Sequence, residues 1–295
     1  MALPSNLDVA LADFIAREKL PADYAQTVET WFLPLAEDVL RLVSRSTQAP
    51  IVGVSGCQGS GKSTLAALLV LLVREMMGLR AVNLSIDDFY HTHATRQQLA
   101  REVHPLFATR GVPGTHDVPL ALDTLQALRR GGQVPIPRFD KSIDDRYPRE
   151  AWPVVAAPVD LIVLEGWCLS VPAQPDELLQ EPINALERDE DCVGAWRRHV
   201  NQTIRSDYAQ FYGMVDYLVM LKAPDFAKVA EWRGRQEQKL AAQVGSAGHR
   251  VMNEQQLARF IQHYERITRH GLAVLPQQAD VVYQLTDQQT IAGRL

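Results

Sequence analysis

The chain has 295 residues, of which 46% are hydrophobic and 22% charged, with a formal net charge of −5. That length buries a substantial core without disulfide staples, and the acidic balance without a long run of like charge excludes the basic stripe of a general nucleic-acid binder. The three cysteines, Cys57, Cys168 and Cys192, have neither disulfide-framework nor zinc-ligand spacing, a usage that suits the reducing cytosol.

Residues 1–50 read as a helical extension, because Leu7, Leu11, Phe14 and Ile15, then Trp31, Phe32, Leu35 and Leu42 recur at helical spacing. Asp8, Asp13 and Glu18 interrupt the first twenty residues, so no signal peptide is read there. The longest apolar stretch, Leu65 to Val73, is about half of the roughly 20 residues a bilayer span requires. The expectation is a cytoplasmic protein with no membrane partner.

From Ile51 the pattern changes to strands alternating with helices. Ile51 to Ser55 is a short β-branched run, followed by a glycine-rich turn and an apolar helix from Lys62 to about Met77, stopped by Gly78. Ala81 to Ile86 is a second strand, leading into Asp87, Asp88, Phe89 and Tyr90. Val159 to Leu164 is a buried strand ending at Glu165, and Val215 to Leu221 and Asp280 to Leu285 are two more. Polar helices over Phe226 to Val244 and Glu254 to Arg269 separate the last two. This order predicts an α/β fold, a three-layer αβα sandwich with a mostly parallel sheet, over residues 51–295. Arg110 to His116 and Pro135 to Pro153 read as ordered loops over a site. Residues 171–198 form an acidic insertion of no legible role.

The segment Gly56, Cys57, Gln58, Gly59, Ser60, Gly61, Lys62, Ser63 fits G-x-x-x-x-G-K-[ST] at every fixed position, and Thr64 follows it. Its place between a strand and a helix is what the mechanism needs: the curled backbone aims N–H groups at an anion and the helix adds its positive end. Lys62 is expected on the β- and γ-phosphates of ATP, and the Ser63 hydroxyl on Mg2+. Cys57 beside a helix N-terminus can have a lowered pKa, but it is read as a packing residue.

A phosphate loop alone does not separate a kinase from an ATPase. A kinase also needs a carboxylate beside the acceptor hydroxyl. Asp87 is read as that base or as a magnesium-linked carboxylate, and Asp88 as a group holding a loop or substrate, on the premise that adjacent side chains of an extended chain face opposite ways. Glu165, at the end of a buried strand, is expected at the magnesium water shell, since a buried acid without a partner is costly.

The phosphate loop, SIDDFY at 85–90, RGVPGTHD at 110–117, PRFDKS at 137–142 and LEGW at 164–167 together resemble D-glycerate 3-kinase of the plant and fungal type, across roughly residues 45–285. That family is similar to the wider uridine kinase, phosphoribulokinase and pantothenate kinase group. The resemblance implies a P-loop kinase with ATP and Mg2+ as cofactors, transferring the γ-phosphate to a hydroxyl of D-glycerate. It implies Asp87 as catalytic base, Asp117 as the acid of the substrate loop, Glu165 as the acid before glycine, substrate loops over about 104–153 and a lid over about 228–250. A carboxylate acceptor needs cations, for which Arg138 and Lys141 are the candidates. His116 is a candidate for a substrate hydroxyl, and Tyr90, like Trp167, for the floor of the acceptor pocket or for the core. Arg233 and Arg235, in the lid, are candidates to reach the transferring phosphate, with Lys239 a weaker one. The alternatives are a kinase for a uridine-, pantothenate- or sugar-like acceptor, and a partner-stimulated ATPase using 171–198 as its interaction surface.

Overall fold

In a computed structural model, residues 5–244 and 253–295 are described. The N-terminal helices are α1 (Ser5–Arg17), α2 (Tyr24–Thr27), continuing through a wider turn at Val28–Phe32, and α3 (Leu33–Arg45). Strand β1 (Ile51–Gly56) follows, then α4 (Lys62–Met77), β2 (Ala81–Ser85), α5 (His93–Glu102) and α6 (Val118–Arg130). Short strands β3 (Gly132–Pro135), β4 (Phe139–Asp140), β5 (Asp145–Arg146) and β6 (Val154–Ala157) precede β7 (Leu161–Gly166). The chain closes with α7 (Ala185–Glu190), α8 (Ala195–Arg205), α9 (Asp207–Tyr212), β8 (Tyr217–Lys222), α10 (Phe226–Val244), α11 (Glu254–Val274), β9 (Val281–Leu285) and β10 (Ile291–Arg294).

Six strands form the central sheet in the order β10-β9-β8-β1-β7-β2, parallel except for β10. The glycine-rich loop therefore leaves the middle of the sheet, with β7 and β8 on either side. Side chains alternate between two cores. Ile162, Leu164, Leu218 and Met220 face α6, α8, α9 and α11, while Leu161, Val163, Val219 and Leu221 face α1, α3 and α4. This is the expected three-layer sandwich.

The N-terminal helices share the second core. Phe14, Leu35 and Val39 are fully buried there with the apolar face of α4, and the Tyr283 hydroxyl donates to the Trp31 carbonyl at 2.7 Å. Each such aliphatic or aromatic side chain contributes about 1.5–3 kcal/mol by leaving water.

Several boundaries differ from the sequence reading: β2 stops at Ser85, β8 runs Tyr217–Lys222 rather than Val215 to Leu221, β9 starts at Val281, and β7 and α11 shift further. Strand β7 starts at Leu161 rather than Val159, because Pro158 cannot donate and the Asp160 carboxylate turns back to the Arg80 backbone N–H at 2.8 Å. It also runs on through Glu165 and Gly166, which pair with Val54 and Ser55 of β1. Helix α11 continues past Arg269 to Val274, burying Gly271 against Val171.

Residues 171–198 pack against α11 and α8 rather than standing away from the body. The Arg266 guanidinium grips Glu187 with two bonds of 2.7 and 2.6 Å, and Arg197 holds Asp191 at 3.0 Å, all four side chains being nearly or fully buried. Two of its outer acids, Asp176 and Glu190, pair with Arg205 and Arg259. The acidity of this stretch is thus largely spent on holding helices together. Among the described residues no helix is long and apolar enough to cross a membrane.

Candidate active site

The phosphate loop folds as the glycine spacing requires. Gly59 has φ of +81°, in the left-handed region, and a Cβ there would come within 2.8 Å of the Trp232 Cβ, so a side chain is excluded twice over. Gly61 caps α4 in the same left-handed conformation and places Lys62 and Ser63 in the first turn of the helix. Cys57 is buried and, despite the Lys62 charge, burial pushes its thiol up to about 12, so the packing role stands and reactivity does not follow.

Strand β7 carries Glu165 to the same place. The Ser63 hydroxyl donates to Glu165 Oε1 at 2.9 Å and Lys62 Nζ lies 3.8 Å from Oε2. Glu165 Oε2 and the Ser60 hydroxyl are buried without a hydrogen-bond partner. Orphaned polar atoms beside a lysine and a helix N-terminus fit a triphosphate with its metal ion. Among the described residues no cluster of three or more His, Cys, Asp or Glu is placed to hold a metal by itself. A magnesium ion held by Ser63 with Glu165 alongside would take its remaining oxygens from phosphate and water, as this ion commonly does.

Asp87 and Asp88 sit not on an extended chain but on a 3-10 turn, Ile86–Phe89, started by the Ser85 hydroxyl accepting from the Asp87 N–H. The premise of strand alternation was therefore wrong, although the two carboxylates do part company. Asp87 Oδ2 accepts from Lys141 Nζ at 2.7 Å and Oδ1 from the Tyr90 hydroxyl at 3.0 Å. Partial burial raises the Asp87 pKa, but the Lys141 and Lys62 charges outweigh it and hold the carboxyl well below its usual range. Asp88 accepts from Arg138 at 2.9 Å and from the Phe139 N–H at 3.3 Å; burial prevails over these partners and its pKa is raised. Neighbouring carboxyls whose pKa values are driven apart are a mark of divided roles.

Residues from several further segments pack beside these carboxylates. Asp117 caps α6 by accepting from the Leu120 N–H and pairs with Arg146 at 3.2 Å. His116 stacks on Tyr90 with ring centroids 4.4 Å apart, and its Nδ1 is bonded to the Tyr208 hydroxyl at 2.5 Å while Nε2 has no partner. Burial pushes this imidazole down to about 3, so it is neutral near pH 7. Trp167 and Tyr90 are both buried, and Trp167 donates to the Gly111 carbonyl at 3.1 Å. Gly111 has φ of +139°, and a Cβ there would overlap the Tyr264 ring, which fixes the turn of the RGVPG run.

The structure thus brings Lys62, Ser63, Asp87, Tyr90, Lys141 and Glu165 into one neighbourhood at the carboxyl ends of β1, β2 and β7. Arg138 is turned onto Asp88. Arg233 lies over the Phe260 ring at 5.7 Å and close enough to Tyr264 to act on its hydroxyl. Arg235 is exposed on α10 and paired with Glu231 one turn back. Lys239 and residues 245–250 of the expected lid lie outside the described side chains or residues.

Sequence reasoning missed three contributors. Arg110 lies over the Phe139 ring and pairs with Asp144, which also holds Arg96. The charge cluster inside RGVPGTHD was visible, but not its partner. Arg146 was also passed over. The Thr286–Thr290 turn reaches back to the phosphate loop, the Gln289 amide donating to the Gly59 carbonyl, while the Trp232 indole donates to the Asp287 carbonyl at 3.0 Å. No local pattern announces that contact.

With this geometry in place, comparisons with known proteins decide the family. The model of the phosphoribulokinase/uridine kinase family matches residues 51–176. The uncharacterized kinase mug58 of Schizosaccharomyces pombe is 33% identical over 72% of this chain and 78% of its own. The chain belongs to the phosphoribulokinase/uridine kinase family. It is a P-loop kinase. The chloroplastic D-glycerate 3-kinase of Arabidopsis thaliana is 30% identical over 72% of this chain, which spans 46% of that longer protein. The solved D-glycerate 3-kinase of Cryptococcus neoformans superposes with a TM-score of 0.71 at 25% identity, covering 89% of this P-loop kinase and 98% of the fungal chain.

Proposed function

We propose that this protein is an ATP-dependent kinase that transfers the γ-phosphate to a hydroxyl of D-glycerate, forming 3-phosphoglycerate. The observation that carries the reading is the ring of charge around Asp87: a carboxylate facing the phosphate loop, covered by Lys141, on a floor of Tyr90. Similarity to plant and fungal D-glycerate 3-kinases supports the choice of acceptor.

Bound magnesium-ATP supplies the phosphoryl group and neutralises part of its charge. Lys62 and the backbone of residues 56–64 would hold the phosphates, and Ser63 with Glu165 would position the ion. Asp87 accepts the proton of the acceptor hydroxyl as its oxygen bonds to the γ-phosphorus. The bond from that phosphorus to the β,γ-bridging oxygen breaks, the electron pair leaves with ADP, and the proton passes on from Asp87 to water. Asp88 and Arg138 brace the loop behind the base. Asp117 and His116 shape the acceptor side, and Arg233 closes it from α10. Arg235 would act only after a change in its pairing.

The test is ADP release with magnesium-ATP against D-glycerate, L-glycerate, uridine, pantothenate and no acceptor. D-glycerate giving the highest kcat/KM is the expected result. Uridine matching it would move the acceptor assignment within the family, and turnover indifferent to every acceptor would remove the kinase assignment itself.

A further inference from the structure

We propose that Lys141 is an anion sensor: in the acceptor-free protein it covers Asp87, and only an acceptor carrying its own negative charge draws it away and frees the base. This deepens the reading above and rests on it. It names the substrate class as small hydroxy acids rather than neutral alcohols, and it predicts that water is a poor acceptor at this site.

Both oxygens of Asp87 already accept a bond, one from Lys141 and one from Tyr90. Tyr90 is buried and cannot leave. Lys141 can, since its side chain is 60% exposed, against 35% for Arg138, 23% for Arg110, 17% for Lys62 and 14% for Arg146. Arg138 is held by Asp88 and the Pro137 carbonyl, Arg146 by Asp117 and the Tyr90 carbonyl, and Arg110 by Asp144. Lys141 sits just past β4 in the turn of the β4–β5 hairpin, a compact charge on a flexible stem in an exposed pair that is weak and easily exchanged.

The charges facing it complete the argument. Asp87 and Glu165 attract Lys141 and Arg110 repels it. An acceptor carboxylate entering beside Asp87 and Glu165 meets charge of its own sign and needs a cation, and of the five cations compared above Lys141 is the one placed to change partner. A neutral polyol, or water, brings nothing to draw the ammonium off, so Asp87 stays covered.

The experiment compares wild type, Lys141→Met and Lys141→Arg with magnesium-ATP and D-glycerate, glycerol or no acceptor. In Lys141→Met the KM for D-glycerate should rise at least about tenfold, the D-glycerate-over-glycerol preference in kcat/KM should fall by a similar factor, and acceptor-free hydrolysis should rise several-fold. Lys141→Arg should keep the preference. The proposal is overturned if Lys141→Met lowers turnover with both acceptors alike and keeps the preference, or if its acceptor-free hydrolysis is no higher than wild type. Lys141→Gln repeats the measurement if the methionine variant does not fold. A wild type that ignores D-glycerate yet prefers another hydroxy acid to its neutral analogue, with that preference lost in Lys141→Met, keeps the sensor and discards the D-glycerate reading. A wild type that prefers neutral acceptors discards the sensor.

Discussion

Glu187 meets Arg266 with side-chain exposures of 0% and 8%, whereas Asp87 meets Lys141 with exposures of 27% and 60%. Both are carboxylate–cation contacts of similar length, yet they serve opposite ends. The first is sealed between α7 and α11 with its remaining donors satisfied by carbonyls of Leu178 and Glu181, so neither partner can move without stranding a buried charge. The second opens on the site, where solvent screens it and a lysine can exchange partners. Burial, rather than the identity of the residues, separates scaffold from working part.

The sharpest way to test that contrast is to break each pair and read both stability and turnover. Asp87→Asn should lower kcat by about 10²–10⁴-fold while ATP binding, followed by equilibrium dialysis, is retained. Arg266→Met should do the reverse: a loss of about 3–5 kcal/mol in urea unfolding, with the acceptor preference unchanged. Adding Glu187→Leu to Arg266→Met should recover much of that loss, because the stranded carboxylate is then gone.

His116 sharpens the comparison from the pH side. Its folded pKa is pushed down to about 3 by burial while the unfolded chain titrates near 6.5, so its stabilising contribution is complete above that higher value and is lost as pH falls towards 3. Between pH 7 and 5 this residue alone should cost about 2 kcal/mol, and His116→Gln should flatten that part of the stability profile. Asp88→Asn should reduce kcat/KM by less than about tenfold, since it loosens a brace rather than removing the base. Smallest of all, Glu231→Ala breaks exposed pairs with Arg235 and Lys228 and should leave the thermal unfolding midpoint essentially unchanged.

What the sequence made legible follows the same division. The phosphate loop could be read because its function is carried by backbone and spacing, so Gly56 to Thr64 needed no partner from elsewhere. Glu165 was legible because an acid ending a run such as LIVL is conspicuous. Strand order, the 3-10 turn under Asp87 and Asp88, and the pairing of Arg138 with one aspartate and Lys141 with the other depend on loops folding back over long stretches of chain. A loop rich in Arg and Asp says that ion pairs will form without saying which. Arg235 shows the limit from the other side, because helical periodicity alone did not tell its outward face from the inward face of Arg233. Residues 171–198 read as an acidic insertion of no legible role, since two of the arginines that neutralise it, Arg266 and Arg259, lie far along the chain in α11.

The placement of β1 in the middle of the sheet has a consequence for how the protein is made. Its hydrogen-bonding neighbours are Ile162 to Gly166 on one side and Tyr217 to Leu221 on the other, so both arrive at the ribosome's exit long after the phosphate loop has emerged. Until then an apolar strand with two open edges has only the helices α1, α3 and α4 to cover it. Helices packed on one face leave both edges of β1 unpaired, so the interval before β7 and β8 emerge is the one in which the growing chain is expected to be most prone to aggregation.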